Sequence, residues 1–461
     1  MVETVETVET PSMASLPLPP RNPLPYRQRL KAARALATGP EELRDAGGPV
    51  TRNILGPRWL MPPMVVITSP QGARDVLSRK DAFADRGTLP WMIDLRRLIG
   101  GNLLNLPHDE WLPRRRAMQP LFTKQRVTQF GGHITDAAAH VSRRWPDGVE
   151  VDLAGEIHKL TLRALGRSVL GLNLDAQADA VGPAMRTALM WSADRALAPV
   201  RAPRWLPTPA QRRARRASTL MHQLAAEIVQ TCRDNPDHDA PVVHALIAAR
   251  DPETGQPISD NDICDELVMF MFGGHDTIST TLTYALWALG RHHDLQHRVA
   301  AEVARVGDRR LTPDDVPHLS YTVQVLHEAM RLCTPAPSLF RLVMQDIDVD
   351  GYRVEAGTFA LIGAYAMHRD PALWDDPLTF DPDRFSPERP KDRDRWQYLP
   401  FGGGPHACPA ARSRAARRRG RRGRPRRDQG VRPPRRVHPA PVQHAVVRRA
   451  DPHRRRRAPG P

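Results

Sequence analysis

The chain has 461 residues and a formal net charge of +16, and that charge is unevenly distributed. Residues 411–461 contain nineteen arginines and two aspartates, whereas the first 410 residues hold 48 basic and 49 acidic side chains. A nearly neutral body argues against a nucleic-acid-binding main domain, because contacts with phosphates need a basic face.

The cysteines and the N-terminus bear on the cellular compartment. Four cysteines in 461 residues are too few and too scattered for a disulfide framework or a CxxC zinc site. No run of eighteen apolar residues occurs, and the start MVETVETVET is an acidic repeat, unlike the basic and apolar regions of a signal peptide. We therefore expect a cytoplasmic monomer without a membrane anchor.

The predicted elements follow a simple order along the chain. Residues 1–39 combine the acidic repeat with a proline-rich stretch, which favours an extended arm over the surface. MVVITSP reads as a strand and QGARDVLSRKDAFA as a helix, and residues 107–342 show mostly helical spacing. IDVDGYRVEAGTFALIG has the alternation of a hairpin. The expected fold is mainly α with small β-sheets (α+β), in one domain over residues 40–409.

The segment FGGGPHAC contains Cys408, the cysteine with the most unusual surroundings. A lone cysteine is usually a small buried apolar residue. Three consecutive glycines change this interpretation, because glycine permits positive φ and lets the backbone approach a large flat partner. A thiolate is a strong ligand for a soft metal and donates electron density to haem iron.

FGGGPHAC resembles the haem-binding loop of the cytochrome P-450 superfamily, with matches at Phe401, Gly402, Gly404, His406 and Cys408. The resemblance implies haem b as cofactor and Cys408 as the proximal ligand of its iron. It further implies that Phe401 shields the sulfur, that Gly402 belongs to the cofactor-binding loop, and that His406 hydrogen-bonds a haem propionate.

Other segments agree with this resemblance. Glu328 and Arg331 in HEAMR share a helix face and resemble the family's ExxR pair, upstream of DPDRF with Arg384. The same spacing occurs elsewhere in the chain, so the order of the motifs carries the argument. The resemblance implies a structural triad that supports the cysteine loop.

The longest apolar helical stretch is VMFMFGGHDTISTTLTYALWALG. Residues 273–277 in it resemble the family's oxygen-binding motif, which implies that Asp276 and Thr277 are catalytic and supply protons to oxygen. An interior glycine pair weakens a helix and often marks a kink or a close approach, and a break in the hydrogen-bond ladder would free backbone groups for water. The usual second hydroxyl is replaced by Ile278, and His275 is expected to be packed in the core.

HDEWLPRRRAMQPLF places Trp111 and Arg115 four residues apart on one helical face. A basic run of this kind is usually a solvated surface. In the family, however, a WxxxR helix directs both side chains to a haem propionate, and Arg341 in PAPSLFRLV falls where another propionate-binding arginine often occurs. Guanidinium groups suit carboxylates.

The resemblance covers residues 40–409 and stops there. Relatives have a glycine two residues after the cysteine, then an amphipathic helix and a hairpin, whereas here Ala410 is followed by arginine, proline and alanine. We expect residues 410–461 to be disordered and the family's last helix and hairpin to be missing. A shifted reading frame would explain the abrupt change of composition.

The resemblance implies a bacterial-type monooxygenase that inserts one oxygen atom of O2 into a lipophilic small molecule. Electrons would come from a separate ferredoxin or flavodoxin with its reductase. Apolar segments such as TLPWMIDLRRLIG and PAPSLF favour a terpenoid, steroid or fatty acid. The alternatives are a peroxygenase or isomerase on the same fold, a haem-deficient product of a frameshifted gene, and a protein that binds nucleic acid through its basic tail.

Overall fold

The computed structural model describes residues 13–58, 61–79, 84–145, 148–174, 178–197, 206, 208–389, 393–414 and 446–448. The helices are α1 (Tyr26–Arg34), α2 (Gly39–Gly47), α3 (Pro70–Leu77), α4 (Pro90–Ile99), α5 (His108–Met118), α6 (Lys124–Gln129), α7 (Gly131–Ser142), α8 (Leu153–Leu165), α9 (Ala178–Leu197), α10 (Pro209–Asp234), α11 (Pro241–Ala248), α12 (Asp260–Arg291), α13 (His293–Ala304), α14 (Ser320–Leu332) and α15 (Ala364–His368). The strands are β1 (Val50–Asn53), β2 (Met64–Ile67), β3 (Ala84–Asp85), β4 (Glu150–Asp152), β5 (Leu339–Val343), β6 (Ile347–Val349), β7 (Tyr352–Val354), β8 (Phe359–Ile362) and β9 (Val446–Arg448).

The predicted fold class is confirmed, since a large helical body carries small sheets. MVVITSP forms β2 and the segment after it forms α3, which Ser69 caps by accepting the N–H of Gly72. The predicted hairpin is β6 and β7, and its turn has positive φ angles of 53° at Asp350 and 83° at Gly351. Aspartate and glycine are the residue types that tolerate this backbone conformation.

The main sheet has the order β1-β2-β8-β5-β3, with β2 and β8 parallel and the other neighbours antiparallel. All four residues of β2 are buried, which explains its continuous apolar run. Side chains of β2, α3 and β8 form one apolar cluster with Trp396 and Leu399. These two residues directly precede the cysteine loop, so the sheet anchors the start of that loop.

The N-terminal segment is partly extended and partly helical. The N–H of Arg52 donates to the carbonyl of Pro20 and the N–H of Asn22 to the carbonyl of Arg52, both at 2.8 Å. This stretch therefore runs along β1. Helix α1 lies inside the segment predicted as an arm, because the proline run ends at Pro25 and the next nine residues contain none.

Helix α12 crosses the helical core for 32 residues. Its side chains Ile263, Leu267 and Met271 are fully buried in the largest apolar cluster. The α-helix continues through the glycine pair, so its hydrogen-bond ladder is not broken there. A Cβ on Gly274 would lie 2.9 Å from the Leu165 side chain of α8, so this glycine serves close helix packing.

The C-terminal tail is described only in part. A 3-10 helix, Pro409–Arg414, follows Cys408 directly, and β9 pairs antiparallel with β4. The prediction of disorder for residues 410–461 otherwise falls outside the described residues, as does the acidic repeat at residues 1–12.

Candidate active site

The cysteine loop is a tight turn that only glycine permits. Gly402 and Gly404 both have a φ of +70°, and a Cβ on Gly404 would lie 1.6 Å from the carbonyl oxygen of Leu77. The backbone N–H of Cys408 donates to the carbonyl of Phe401 at 2.9 Å and closes the turn. The Cys408 side chain is half-buried, and Phe401 is exposed at the edge of the loop.

Helix α5 packs directly on this loop. The rings of Trp111 and His406 are tilted against each other with centroids 3.9 Å apart, and Arg115 donates to the carbonyl of Ala407 at 3.3 Å. Trp111 and Arg115 are both buried and share one face of the helix, four residues apart. The structure therefore brings three of the predicted cofactor-binding residues together beside Cys408.

Two further arginines lie near His406. Arg341 is on β5, and β3 pairs with β5 through Asp85 and Leu342, which brings Arg86 toward Arg341. Burial, followed by the charge of Arg341, lowers the pKa of Arg86 to about 9. Burial likewise lowers the pKa of Arg341 to about 10. Arg86 was not predicted as a site residue, because no motif in the local sequence ADRG distinguishes it.

His406 experiences all of these positive charges. Burial, followed by Arg86 and Arg341, holds the pKa of its imidazole far below the ordinary value. Its Nδ1 is buried without a hydrogen-bond partner among the described residues, and the same is true of the Arg86 Nε. Orphaned buried donors of this kind suit an anionic ligand. The two propionate groups of a haem whose iron is bound by the Cys408 thiolate fit this donor set.

Asp276 and Thr277 lie in the middle of α12. The Thr277 hydroxyl donates to the carbonyl of Gly273 at 2.7 Å. The Asp276 carboxylate lies 3.5 Å from the His158 imidazole, and this contact lowers the pKa of Asp276. No hydrogen bond or ion pair among the described residues joins this pair to Cys408. As expected, His275 between the motif residues is buried in the core.

The predicted structural triad is assembled in the structure. Glu328 and Arg331 are completely buried, with hydrogen bonds of 2.8 and 2.6 Å between the guanidinium and the carboxylate. Arg384 contributes a guanidinium nitrogen 3.4 Å from Glu328. Arg331 also donates to the carbonyls of His368 and Pro377, each at 2.7 Å. Each nitrogen of the Arg331 guanidinium therefore donates to an acceptor within the protein.

His368 connects this triad to the cysteine loop. Its Nε2 accepts the N–H of Leu399 at 2.8 Å, and its Nδ1 lies 2.8 Å from the Thr334 hydroxyl. Burial, followed by the charge of Arg331, lowers the pKa of His368 to about 3, so the ring stays neutral and keeps Nε2 as an acceptor. His368 was not predicted, since a single histidine in AMHRD has no distinctive spacing.

A thiolate loop, a buried cationic cluster and a supporting ion pair in a helix-rich fold define a haem-thiolate protein. The family model for Cytochrome P450 matches residues 17–411, and the chain belongs to this family. The chain is accordingly a cytochrome P450 monooxygenase with a haem cofactor.

Several characterised proteins are similar to this chain. Cyclooctat-9-en-7-ol 5-monooxygenase of Streptomyces melanosporofaciens is 30% identical over 341 residues, which are 74% of each chain. Cyclooctatin synthase of the same organism is 31% identical over 366 residues, 79% of this chain and 78% of the relative. Pentalenene oxygenase of Streptomyces avermitilis is 29% identical over 342 residues, 74% of this chain and 75% of the relative.

The fold is shared with the solved structure of retinoic acid bound cyanobacterial CYP120A1. The TM-score is 0.72 at 24% sequence identity, and the match covers 86% of this chain and 89% of that one. Among the helices of the described residues, none combines the length and apolar character required to cross a membrane.

Proposed function

We propose that this chain inserts one oxygen atom of O2 into a terpenoid-like small molecule, with haem b bound through Cys408. Electrons come from a ferredoxin or flavodoxin with its reductase, and the protein works as a monomer in the cytoplasm. The observation that carries the proposal is the glycine turn that presents Cys408 beside a buried cluster of cationic side chains.

The side chains around the loop have distinct roles toward the cofactor. The Cys408 thiolate binds iron, and Phe401 and Gly402 form the loop that holds the sulfur. Trp111, Arg115, Arg341 and His406 hold the haem carboxylates, together with Arg86. When bound, haem supplies the activation of O2, and the thiolate donates electron density that favours O–O cleavage.

Asp276 and Thr277 supply protons on α12. Because the Thr277 hydroxyl donates its hydrogen to the Gly273 carbonyl, its oxygen remains an acceptor. It could then accept a hydrogen bond from a water beside the bound cofactor. Asp276 is ionised near neutral pH, since contact with His158 lowers its pKa, and it can accept a proton before passing it on. An acid and an alcohol at this position favour O2 chemistry over peroxide-driven turnover.

The proposed substrate class rests on packing and on the relatives. Trp91 of α4 meets Phe340 edge-to-face at 5.3 Å, and Phe340 stacks on Phe359 at 5.5 Å. These contacts join two segments predicted to line the substrate pocket, which supports aromatic walls for that pocket. Cyclooctat-9-en-7-ol, named in one relative, is an unsaturated alcohol, which supports a lipophilic and lightly oxygenated substrate.

The test is the absorption spectrum of the reduced full-length chain with carbon monoxide. We expect a thiolate-type band in the unmodified chain and its loss in Cys408→Ser, since an alcohol is a much poorer iron ligand. Cys264→Ser is the matched control, because burial raises the pKa of Cys264 to about 11 and keeps it a thiol. A thiolate-type band in Cys408→Ser would contradict the proposal, and equal turnover with peroxide would favour a peroxygenase.

A further inference from the structure

A polar cluster joins α12 to α8 and α9 directly beside Thr277. His158 of α8 places its Nε2 3.5 Å from the Asp276 carboxylate and 3.3 Å from the Arg186 guanidinium of α9. Ser279, two residues after Thr277 on α12, has its hydroxyl 3.0 Å from the His158 Nδ1. About a third of the His158 side chain and about half of the Asp276 side chain are exposed, so both groups of this pair can exchange protons with solvent.

The hydrogen bonds identify the nitrogen that titrates. The His158 Nδ1 lies 2.7 Å from the carbonyl of Ala154, which only accepts, so Nδ1 carries a hydrogen. Nε2 is therefore the site that gains or loses a proton. When neutral, it accepts from Arg186; when protonated, it donates toward Asp276. Arg186 is thus the partner of the neutral Nε2, and Asp276 is the partner of the protonated Nε2.

We propose that His158 is a positioning residue that supplies protons to Asp276, which in turn serves Thr277. In each step the Nε2–H bond of His158 breaks and an O–H bond forms on Asp276, leaving a neutral imidazole and a neutral acid. Water then reprotonates His158, and Asp276 returns to its ionised form when it passes its proton on. This inference rests on the proposed monooxygenase function and names the entry point of its protons.

The surroundings of His158 hold a proton on its ring beside Asp276. The hydrogen bond to the Asp276 carboxylate raises the pKa of His158 despite the opposing effect of burial. His275 faces the same ring at a centroid distance of 5.2 Å, but burial lowers its pKa to about 4, so it stays neutral. Among the described side chains of α9, Arg186 acts on His158 and lowers its pKa. From α7, the charge of Asp136 acts on Arg163.

A second histidine pair on α12 provides a matched control. His222 of α10 lies 3.3 Å from Asp265, and this hydrogen bond likewise raises the pKa of His222. Asp265 precedes Asp276 by eleven residues, which puts the two carboxylates within about 20° of the same helix face. Asp265, however, accepts the N–H of Gly101 at 2.7 Å and precedes Glu266, so it anchors a loop and has no neighbouring alcohol.

The first experiment follows the histidine pairs by NMR in the full-length chain labelled with 15N-histidine. Asp276→Asn should lower the pKa of His158 toward its ordinary value and leave His222 unchanged. Asp265→Asn should do the reverse. A His158 that titrates identically with and without the Asp276 carboxylate would overturn the pairing on which the proposal rests.

The second experiment measures reductant oxidation by the haem-loaded chain against pH, with a surrogate ferredoxin and its reductase. His158 is protonated below its raised pKa, so the rate should fall as the pH rises through that pKa. His158→Gln should lower the rate about tenfold at the acidic end and remove this limb of the profile. His222→Gln should leave this limb of the pH profile unchanged.

The outcomes separate the two proposals. A thiolate-type carbon monoxide spectrum combined with an unchanged pH profile in His158→Gln would refute the relay alone. Failure of the unmodified chain to give that spectrum would refute the proposed function, and the relay with it.

Discussion

Arg86 is a charged side chain in a place where protein alone does not satisfy it. It is partly buried and donates to the carbonyl of Leu103 at 2.6 Å, but its Nε has no hydrogen-bond partner among the described residues. Burial and then Arg341 disfavour its charged form, and Asp85 offsets only part of this effect. A partly compensated cation of this kind destabilises a fold, whereas a ligand carboxylate would stabilise it. Arg86 should therefore lower the stability of the haem-free protein and strengthen the binding of haem.

We predict that Arg86→Leu leaves the haem-free chain as stable as before or more stable, while it weakens haem binding. The loss of a charge-assisted hydrogen bond is about 1.5–3 kcal/mol of binding free energy. Haem titration and urea unfolding of the same preparations measure both effects. Arg58→Leu is the control, because Arg58 is exposed and paired with Glu355. Reduced stability of haem-free Arg86→Leu would contradict the prediction.

Thr277 gives a second prediction at this scale. Thr277→Ala removes the acceptor oxygen on α12, so reductant consumption should continue while hydrogen peroxide replaces hydroxylated product. The ratio of peroxide to reductant consumed is the measurement. Thr231→Ala on α10 is the control, since its hydroxyl also donates to the carbonyl four residues earlier at 2.7 Å. Unchanged coupling in Thr277→Ala would assign proton supply to other groups.

Motif residues were predictable from sequence, and their partners were not. Cys408 and its glycines could be recognised because they are contiguous, and Trp111 and Arg115 share one buried face of α5, as the spacing implied. Arg86 and His158 acquire their roles only through contacts with distant segments, here β5 and α12. A single sequence does not reveal such pairings, because each residue alone resembles an ordinary surface residue.

At the scale of elements, α14 connects the buried ion pair to the cysteine loop. Arg331, which is paired with Glu328, donates to the carbonyl of His368. The imidazole of His368 in turn accepts the N–H of Leu399, which precedes the cysteine loop. The apolar pattern predicted the helix, but the role of His368 depends on α15 lying beside α14. The same limit explains α12, where the sequence left open whether the glycines kink the helix or allow a close approach, and the contact of Gly274 with α8 decides for the second.

Glu328→Gln should destabilise the whole fold by about 3–5 kcal/mol, because it leaves a buried guanidinium without its counter-charge. Urea unfolding monitored by circular dichroism measures this loss. Asp383→Asn is the control, since the Arg298–Asp383 pair is largely exposed and such pairs contribute about 0–1 kcal/mol. Equal effects of the two substitutions would show that Glu328 is not the structural centre of the triad.

At the scale of the whole molecule, the family match ends at residue 411 and the excess positive charge begins there. The curated relatives extend beyond the matched part, since the chain covers 74% and 78% of the first two. The predicted start of the domain at residue 40 is later than the family match, which begins at residue 17. The proline-rich composition of this segment gives no sign of the hydrogen bonds of Pro20 and Asn22 with Arg52 of β1 or of Pro17 with Arg353 of β7.

The basic tail leads to the last prediction. Relatives are expected to place an amphipathic helix after the cysteine loop, and each buried leucine-sized side chain contributes about 1.5–3 kcal/mol. Several of them make up a large share of a net stability of about 5–15 kcal/mol. The stretch after Ala410 offers alanines and arginines, with Gly420 and Gly423 weakening a helix and Pro425 ending one.

We therefore predict poor haem retention by the chain as it stands. Replacing residues 412–461 with the C-terminal segment of pentalenene oxygenase should raise the haem-to-protein ratio toward one and sharpen urea unfolding. Deleting the same residues without replacement is the control: it removes the arginines but adds no apolar helix, so it should not restore haem. Stoichiometric haem and cooperative unfolding in the unmodified chain would contradict the prediction. Recovery by deletion alone would instead assign the defect to the presence of the tail, because deletion removes the arginines and the pairing of β9 with β4 but supplies no apolar helix.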